Sequence, residues 1–262
     1  MAAAVLHTLG TGYPELNAAL PGGGWPVGAM TELLQAQPGC GEWGLLAPAL
    51  AALSSLPSRR SAIVLIGAPF VPCGPALLAR QIDLGRLLRV QADAASARLW
   101  AAELALRCAD VSAVLAWLPK VPMPHLRRLQ MAAQSHGKLL FVFRPETVQG
   151  ESSPAPLRLR LMRAGPEEAG QGHPPGLLVD VFKRRGPPLA QPLLLPTLPL
   201  RLEALLAASR AQAHRRRQAA GTVLPIPVSA PRQVSAPGNT IRRVSLRQQE
   251  SGHAVGRLAS HS

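Results

Sequence analysis

Residues Ala36 to Trp43 read Ala-Gln-Pro-Gly-Cys-Gly-Glu-Trp and sit where a phosphate-binding loop would sit. A short, mostly apolar run, Met30 to Leu34, precedes them, and an apolar helical pattern, Leu45 to Leu53, follows. A working loop of the form G-x-x-x-x-G-K-[ST] wraps phosphates in backbone N–H groups, adds a Lys charge and offers a hydroxyl to Mg²⁺. Here the first Gly is Ala36, the last is Gly41, the Lys position is Glu42 and the hydroxyl position is Trp43. A carboxylate repels a triphosphate, and indole does not ligate Mg²⁺. Gly39, Cys40 and Gly41 are what remains of a nucleotide-binding set. Their glycines can still cradle an anion at a helix N-terminus or simply form a tight turn. No cofactor is implied.

Other chemistry-bearing residues are scattered. Cys40 sits near a helix N-terminus, which lowers a thiol pKa, but Glu42 beside it opposes that and no base is near in sequence. Cys40, Cys73 and Cys108 form no C-x-x-C, which argues against a disulfide framework and against zinc. His125 and His136 have no acid or Cys at ligand spacing. The sequence therefore predicts neither a metal site nor a catalytic residue.

Along the chain that carries these residues, short β runs alternate with helices. Strands are expected at Met30–Leu34, Ile63–Gly67, Leu87–Gln91, Ala113–Trp117 and Leu139–Phe143. Helices are expected near Gly44–Leu53, bent or delayed by Pro48, at Gly74–Gln81, at Ala94–Arg107 and at Met123–Gln134 with Arg127 and Arg128 outward. Ala97, Trp100, Ala101 and Leu104 share one face of the third helix at i, i+3, i+4 and i+7. Trp43, Trp100 and Trp117 read as packing residues, whereas Trp25, beside Gly22–Gly24 and Pro26, reads as exposed and available to a partner. This alternation indicates an α/β fold with a mainly parallel, doubly covered sheet.

The pattern then changes. Leu157–Met162 and Leu177–Phe182 alternate as half-buried strands and make an antiparallel hairpin at the sheet's edge. Its end, Lys183-Arg184-Arg185, is either a phosphate contact or a solvated strand end. Prolines from 187 to 199 recur too often for regular structure. Leu200–Gln218 is a short helix with Leu202, Leu205 and Leu206 on one side, the candidate partner contact. Beyond Gly221 the Pro/Ser/Gln/Arg composition favours disorder. The expected organisation is a core at 1–190, a Pro-rich linker and amphipathic helix at 191–220, and a basic tail at 221–262.

Of 262 residues, 28 are Lys or Arg and 14 Asp or Glu, a net charge of +14, and Lys120, Lys138 and Lys183 are the only lysines. A GC-rich genome would also enrich Arg, Ala, Pro and Gly, but drift would spread the charge. Instead residues 201–262 hold ten Arg against Glu203 and Glu250. Such a tail suits a polyanion or an acidic protein surface. With no apolar run of about 18 residues and no basic region before the short Ala/Val start, a cytoplasmic protein is expected.

In order along the chain, several segments resemble the RecA core, and more closely the ImuA family of short RecA/SulA-like proteins. Thr11-Gly12-Tyr13-Pro14-Glu15-Leu16-Asn17 and Gly22-Gly23-Gly24-Trp25-Pro26-Val27-Gly28 look like the approach to the first core strand. Gln81-Ile82-Asp83-Leu84-Gly85-Arg86-Leu87-Leu88 resembles the linker before the third. Leu157–Leu161 with Val179-Asp180-Val181-Phe182-Lys183-Arg184-Arg185 looks like the closing hairpin. Gly22–Pro26, Leu126-Arg127-Arg128-Leu129-Gln130 and Phe182–Gly186 fit the ImuA family best, and the likeness spans about residues 8 to 190. It implies a RecA-like P-loop NTPase-type core and a non-catalytic adaptor of a DNA-damage-induced (SOS) translesion synthesis assembly. The implied partners are an ImuB-like Y-family polymerase homologue, an error-prone DnaE-type polymerase subunit, and RecA or DNA. Two alternatives are a SulA-like division inhibitor that binds FtsZ and an atypical DNA-dependent ATPase. Departures from the RecA pattern favour the adaptor: Gly67-Ala68-Pro69 and Ala116-Trp117 offer no acid, and the DNA-contacting loops shrink to Leu118–Pro124 and Glu146–Pro156. The core pattern begins by Leu6, so RecA's N-terminal polymerisation segment is not expected.

Overall fold

In the computed structural model the described residues are 7–39, 41–56, 62–164 and 176–196, with 208–209, 211–213 and 215–216. Strands β1 (Thr8–Leu9) and β2 (Trp25–Pro26) pair antiparallel and enclose helix α1 (Pro14–Ala19). Next come β3 (Ala29–Gln35), α2 (Glu42–Ser54), β4 (Ala62–Ile66), α3 (Gly74–Leu78), β5 (Leu87–Val90), α4 (Ala95–Arg107), β6 (Val111–Trp117), α5 (Met123–His136) and β7 (Leu139–Pro145). The chain continues with β8 (Leu157–Arg163), β9 (Leu177–Lys183) and β10 (Leu193–Leu195). Strands β3 to β10 form one sheet in the order β10-β9-β8-β3-β7-β6-β4-β5. Its pairs are parallel from β8 across to β5, while β9 and β10 are antiparallel to their neighbours. The mixed α/β class and mainly parallel sheet expected from the sequence are therefore present.

Both faces of the sheet are covered, as its apolar strands require. Leu45, Leu46 and Leu50 of α2 join Leu16 and Leu33 in one core. Ala102 and Leu106 of α4 and Leu126, Leu129 and Ala133 of α5 join Met30, Val64 and Val142 in the other. No helix among the described residues is long and apolar enough to cross a membrane.

Pro48 lies inside α2 without ending it. Proline has no N–H, so the carbonyl four residues earlier, Gly44's, loses its helical donor. The Tyr13 hydroxyl replaces that donor, reaching the Gly44 oxygen at 2.7 Å. Gly12 makes the approach feasible: its φ is +87°, and a Cβ there would lie 2.2 Å from the Pro48 Cβ. The segment before α1 thus repairs the helix that the sequence alone suggested would bend.

Three expectations change. Trp25 is fully buried, with its ring edge-on to Phe141 at 5.4 Å, because β1–β2 pairing folds it under the sheet. Leu193–Leu195 is a strand, so the β8–β9 hairpin is not the edge; β10 is, and its Leu195 is buried. Trp100 and Leu104 point to solvent, 68% and 53% exposed, because α4 turns Ala102 and Leu106 inward instead.

Candidate functional site: a self-closed loop beside a cationic cleft

The loop between β3 and α2 carries two glycines that need left-handed backbone, Gly39 at φ +87° and Gly41 at φ +107°. Gly41 is the N-cap of α2, and a Cβ on it would come 2.8 Å from Leu177 Cδ1 at the start of β9. Cys40 lies outside the described residues. The next residue, Glu42, does more than repel a phosphate. Its side chain is buried and folds back so that Oε1 accepts the Gly39 N–H at 2.7 Å. Oε2 is buried with no hydrogen-bond partner within the chain. Glu42 occupies the first turn of α2, where the helix dipole favours a negative charge. A backbone donor that a phosphate-binding loop would turn toward its ligand is therefore held by a carboxylate of the same loop. Arg163 Nη2 donates to the Gly39 carbonyl at 3.2 Å, fixing the loop from outside. Trp43, in the hydroxyl position, packs partly buried against the core.

Next to the loop, a cleft of about 330 Å³ opens at the C-terminal ends of β3, β4, β6 and β7. Parallel sheets place ligand crevices at such ends, where neighbouring connections diverge. Gly67, the first residue after β4, has φ +63° and no side chain; Arg98 of α4 lies across it, and a Cβ would meet Arg98 Cδ and Nε at 2.8 Å. At the end of β6, Trp117 is buried and stacks on Phe143 with ring centroids 4.3 Å apart and planes 14° from parallel. At these two strand ends, which carry no acid, the Arg98 side chain and the Trp117 indole stand instead.

The polar face of β8 is not half-open, as its alternation suggested. Glu32 on β3 is fully buried; its Oε1 accepts Arg144 Nη1 at 2.9 Å and its Oε2 accepts Arg158 Nε. Arg144 Nη2 also pairs with Glu151 at 2.9 Å. Arg158 then donates to the carbonyls of Val148, Gln149 and Glu151, each at 3.0 Å, and lies 4.9 Å from the Phe182 ring centroid. Arg160 pairs with Asp180 on β9 at 3.0 Å. The compact loop after β7 is thus fastened over the sheet by Arg158. Sequence reasoning missed this network: Glu32 is a lone acid in an apolar run and Arg158 one of two alternating arginines, and nothing local marks them as partners.

At the other end of the sheet, the basic run after β9 spends most of its donors on the chain. Lys183 Nζ donates to the Ser153 carbonyl at 2.8 Å. Arg184 donates to the carbonyls of Pro187, at 2.6 Å, and Ala19. Burial lowers the Lys183 pKa, the Arg158 charge lowers it further and Glu32 opposes both. Arg185 is exposed and, with Arg184, Gln130 and His7, borders a second cleft of about 480 Å³ at the start of β3. The three basic residues are therefore adjacent but not equivalent. Leu202, Leu205 and Leu206 lie outside the described residues; Ala208, Ser209, Ala211–Ala213, Arg215 and Arg216 are helical and exposed.

No protein-family model matches this chain, and no curated protein matches it.

Proposed function

We propose that this chain is a non-catalytic adaptor built on a RecA-like core. In this reading it acts with an ImuB-like Y-family polymerase homologue and an error-prone DnaE-type polymerase subunit in DNA-damage-induced translesion synthesis. The observation that carries the non-catalytic part is the Glu42 carboxylate on the Gly39 N–H at 2.7 Å. A γ-phosphate seated in this loop would have to displace a buried anion from a helix N-terminus before gaining any contact of its own. Phosphoryl transfer depends on positioning and on cationic stabilisation of the transferring group, and Glu42 works against both. The ordered likeness of residues 8 to 190 to the ImuA family supports the translesion setting. Loop 146–156, tied down by Arg158, favours a protein surface over a mobile DNA-gripping loop.

Two measurements test the reading. ATP hydrolysis by the full chain with single-stranded DNA is expected at background; turnover like that of a RecA-type enzyme would establish the ATPase alternative instead. Co-purification from DNA-damaged cells is expected to retain the two polymerase subunits, whereas recovery of FtsZ in their place would favour the division-inhibitor alternative.

A further inference from the structure

The cleft at the C-terminal ends of β3, β4, β6 and β7 has no task in the adaptor reading. Among the described residues, seven buried side-chain polar atoms find no hydrogen-bond partner within the chain. Four of them, Gln35 Oε1, Arg89 Nε, Trp117 Nε1 and Arg144 Nε, belong to residues that line this cleft. Native interiors leave few such groups unpaired, so this concentration around one opening points to a common external partner. Gln35 is 3% exposed and Trp117 6%. The terminal torsion of a Gln is broad, so a small turn brings its amide to a ligand.

The charges say what kind of ligand. Arg89 donates to the Ala68 carbonyl at 3.3 Å and to Gln91 Oε1 at 3.4 Å, and Arg98 Nε donates to the Ala92 carbonyl at 2.7 Å. Both guanidinia are therefore oriented, yet neither forms an ion pair with a carboxylate among the described residues. Arg144 is already neutralised by Glu32 and Glu151, and Asp93 is the acid in the lining. What remains is a net single positive charge. Planar guanidinium forks match carboxylate and phosphate oxygens. Pro38, Pro69, Pro119 and the Trp117–Phe143 pair supply apolar walls, and the volume is at the small end for ligand pockets.

We propose that this cleft binds a small organic anion, a carboxylate or phosphate monoester on a flat, partly apolar body that bears an N–H or O–H donor. Arg89 and Arg98 hold its charged head, Gln35 accepts from its donor once its amide turns outward, and the Trp117–Phe143 stack forms a wall. Gly67 is part of the site because it leaves room for the Arg98 stem. The cleft takes in Ala36, Gln37 and Pro38 from the start of the loop, but Gly39, Gly41 and Glu42, on which the adaptor reading rests, do not line it, so failure of the proposal leaves that reading intact.

The test titrates the full chain by calorimetry and ligand-observed NMR with 4-hydroxybenzoate and with adenosine monophosphate, the carboxylate and phosphate arms, and with inorganic phosphate as control. One of the two organic probes is expected to bind as one molecule per chain. Arg89→Met and Arg98→Met are each expected to weaken it by roughly tenfold or more, as loss of a charge-assisted hydrogen bond does, and Gly67→Ala, whose Cβ pushes the Arg98 stem aside, is expected to weaken it as well. Arg127→Met, an exposed change on α5, leaves binding as it was. Should Arg98→Met fail to fold, Arg98→Lys, which keeps charge and loses the fork, is read in its place beside Arg89→Met. The proposal is overturned if neither probe binds or if binding ignores both arginines. It is equally overturned if inorganic phosphate binds as well as adenosine monophosphate while the carboxylate does not, which would mean an adventitious ion only.

Discussion

Tyr13 ties three separate facts into one contact: a proline within a helix, a glycine that lets the chain come close, and a hydroxyl donated to an orphaned carbonyl. Tyr13→Phe keeps the ring and removes the donor, so the buried Gly44 oxygen is left unpaired. The expected loss is about 1–3 kcal/mol, read by urea denaturation at neutral pH. Burial raises the Tyr13 pKa above its ordinary value of 10.0, with the charge of Arg80 opposing. Above that pH the unfolded chain gives up this proton while the folded protein keeps it, so stability falls as pH rises through the folded value. Tyr13→Phe should flatten that alkaline decline; an unchanged slope would place its origin elsewhere. Glu32 is the second decisive residue. Glu32→Ala leaves the buried Arg158 without a carboxylate and Arg144 with Glu151 alone, and should cost about 3–5 kcal/mol. A loss under 1 kcal/mol would mean that water reaches the site.

Helix α4 carries two apolar stripes, and only one of them faces the core. The i, i+3, i+4 spacing of Ala97, Trp100, Ala101 and Leu104 is a sound helical signal, and the helix is there. Yet Ala102 and Leu106 are the ones buried, with Leu99, Ala101 and Ala105 packed partly buried beside them. Periodicity fixes the element but cannot choose between two competent faces, because the choice depends on β6 and on α5 packing beside it. Trp100→Ser with Leu104→Ser should change stability by no more than about 0.5 kcal/mol, whereas Leu106→Ala should lose about 2–5 kcal/mol. Parallel central strands were the most legible elements, since both faces are apolar and the run itself is the message; their ends differ from expectation by a residue or two, as helix and strand ends do. Short pieces were not: β1, β2, α1 and β10 are defined by what they pair with or pack on. The candidate loop was legible as a degenerate motif, but the Glu42 fold-back and the Glu32–Arg144–Arg158 cluster arise from contacts that no spacing encodes.

At the scale of the whole molecule, the sheet ends on strands of four and three residues, β5 and β10, which limits the open edge offered to other chains. The last strand still matters to the core: Leu195 is fully buried, and Leu195→Asp should lower the melting temperature markedly by placing an unpaired charge among Leu177 and Val179. Removing residues 221–262, chosen from composition alone, should leave the melting temperature unchanged within error. A drop on that truncation would reveal an apolar face that the sequence pattern does not display.

The Glu42 closure has a consequence for how such a molecule lives in a cell. A loop completed by a bound nucleotide is stabilised in proportion to the logarithm of ligand concentration, so its owner becomes more fragile when that metabolite runs low. Here the Gly39 N–H receives its partner from the neighbouring turn as the chain folds. On the adaptor reading, the order of this loop is expected to be insulated from swings in nucleotide supply, whatever the neighbouring cleft binds, and hydrogen exchange at the Gly39 N–H should be the same with and without added ATP. For a component assembled under stress, endurance would then be inherited from the sequence instead of drawn from the surrounding pool.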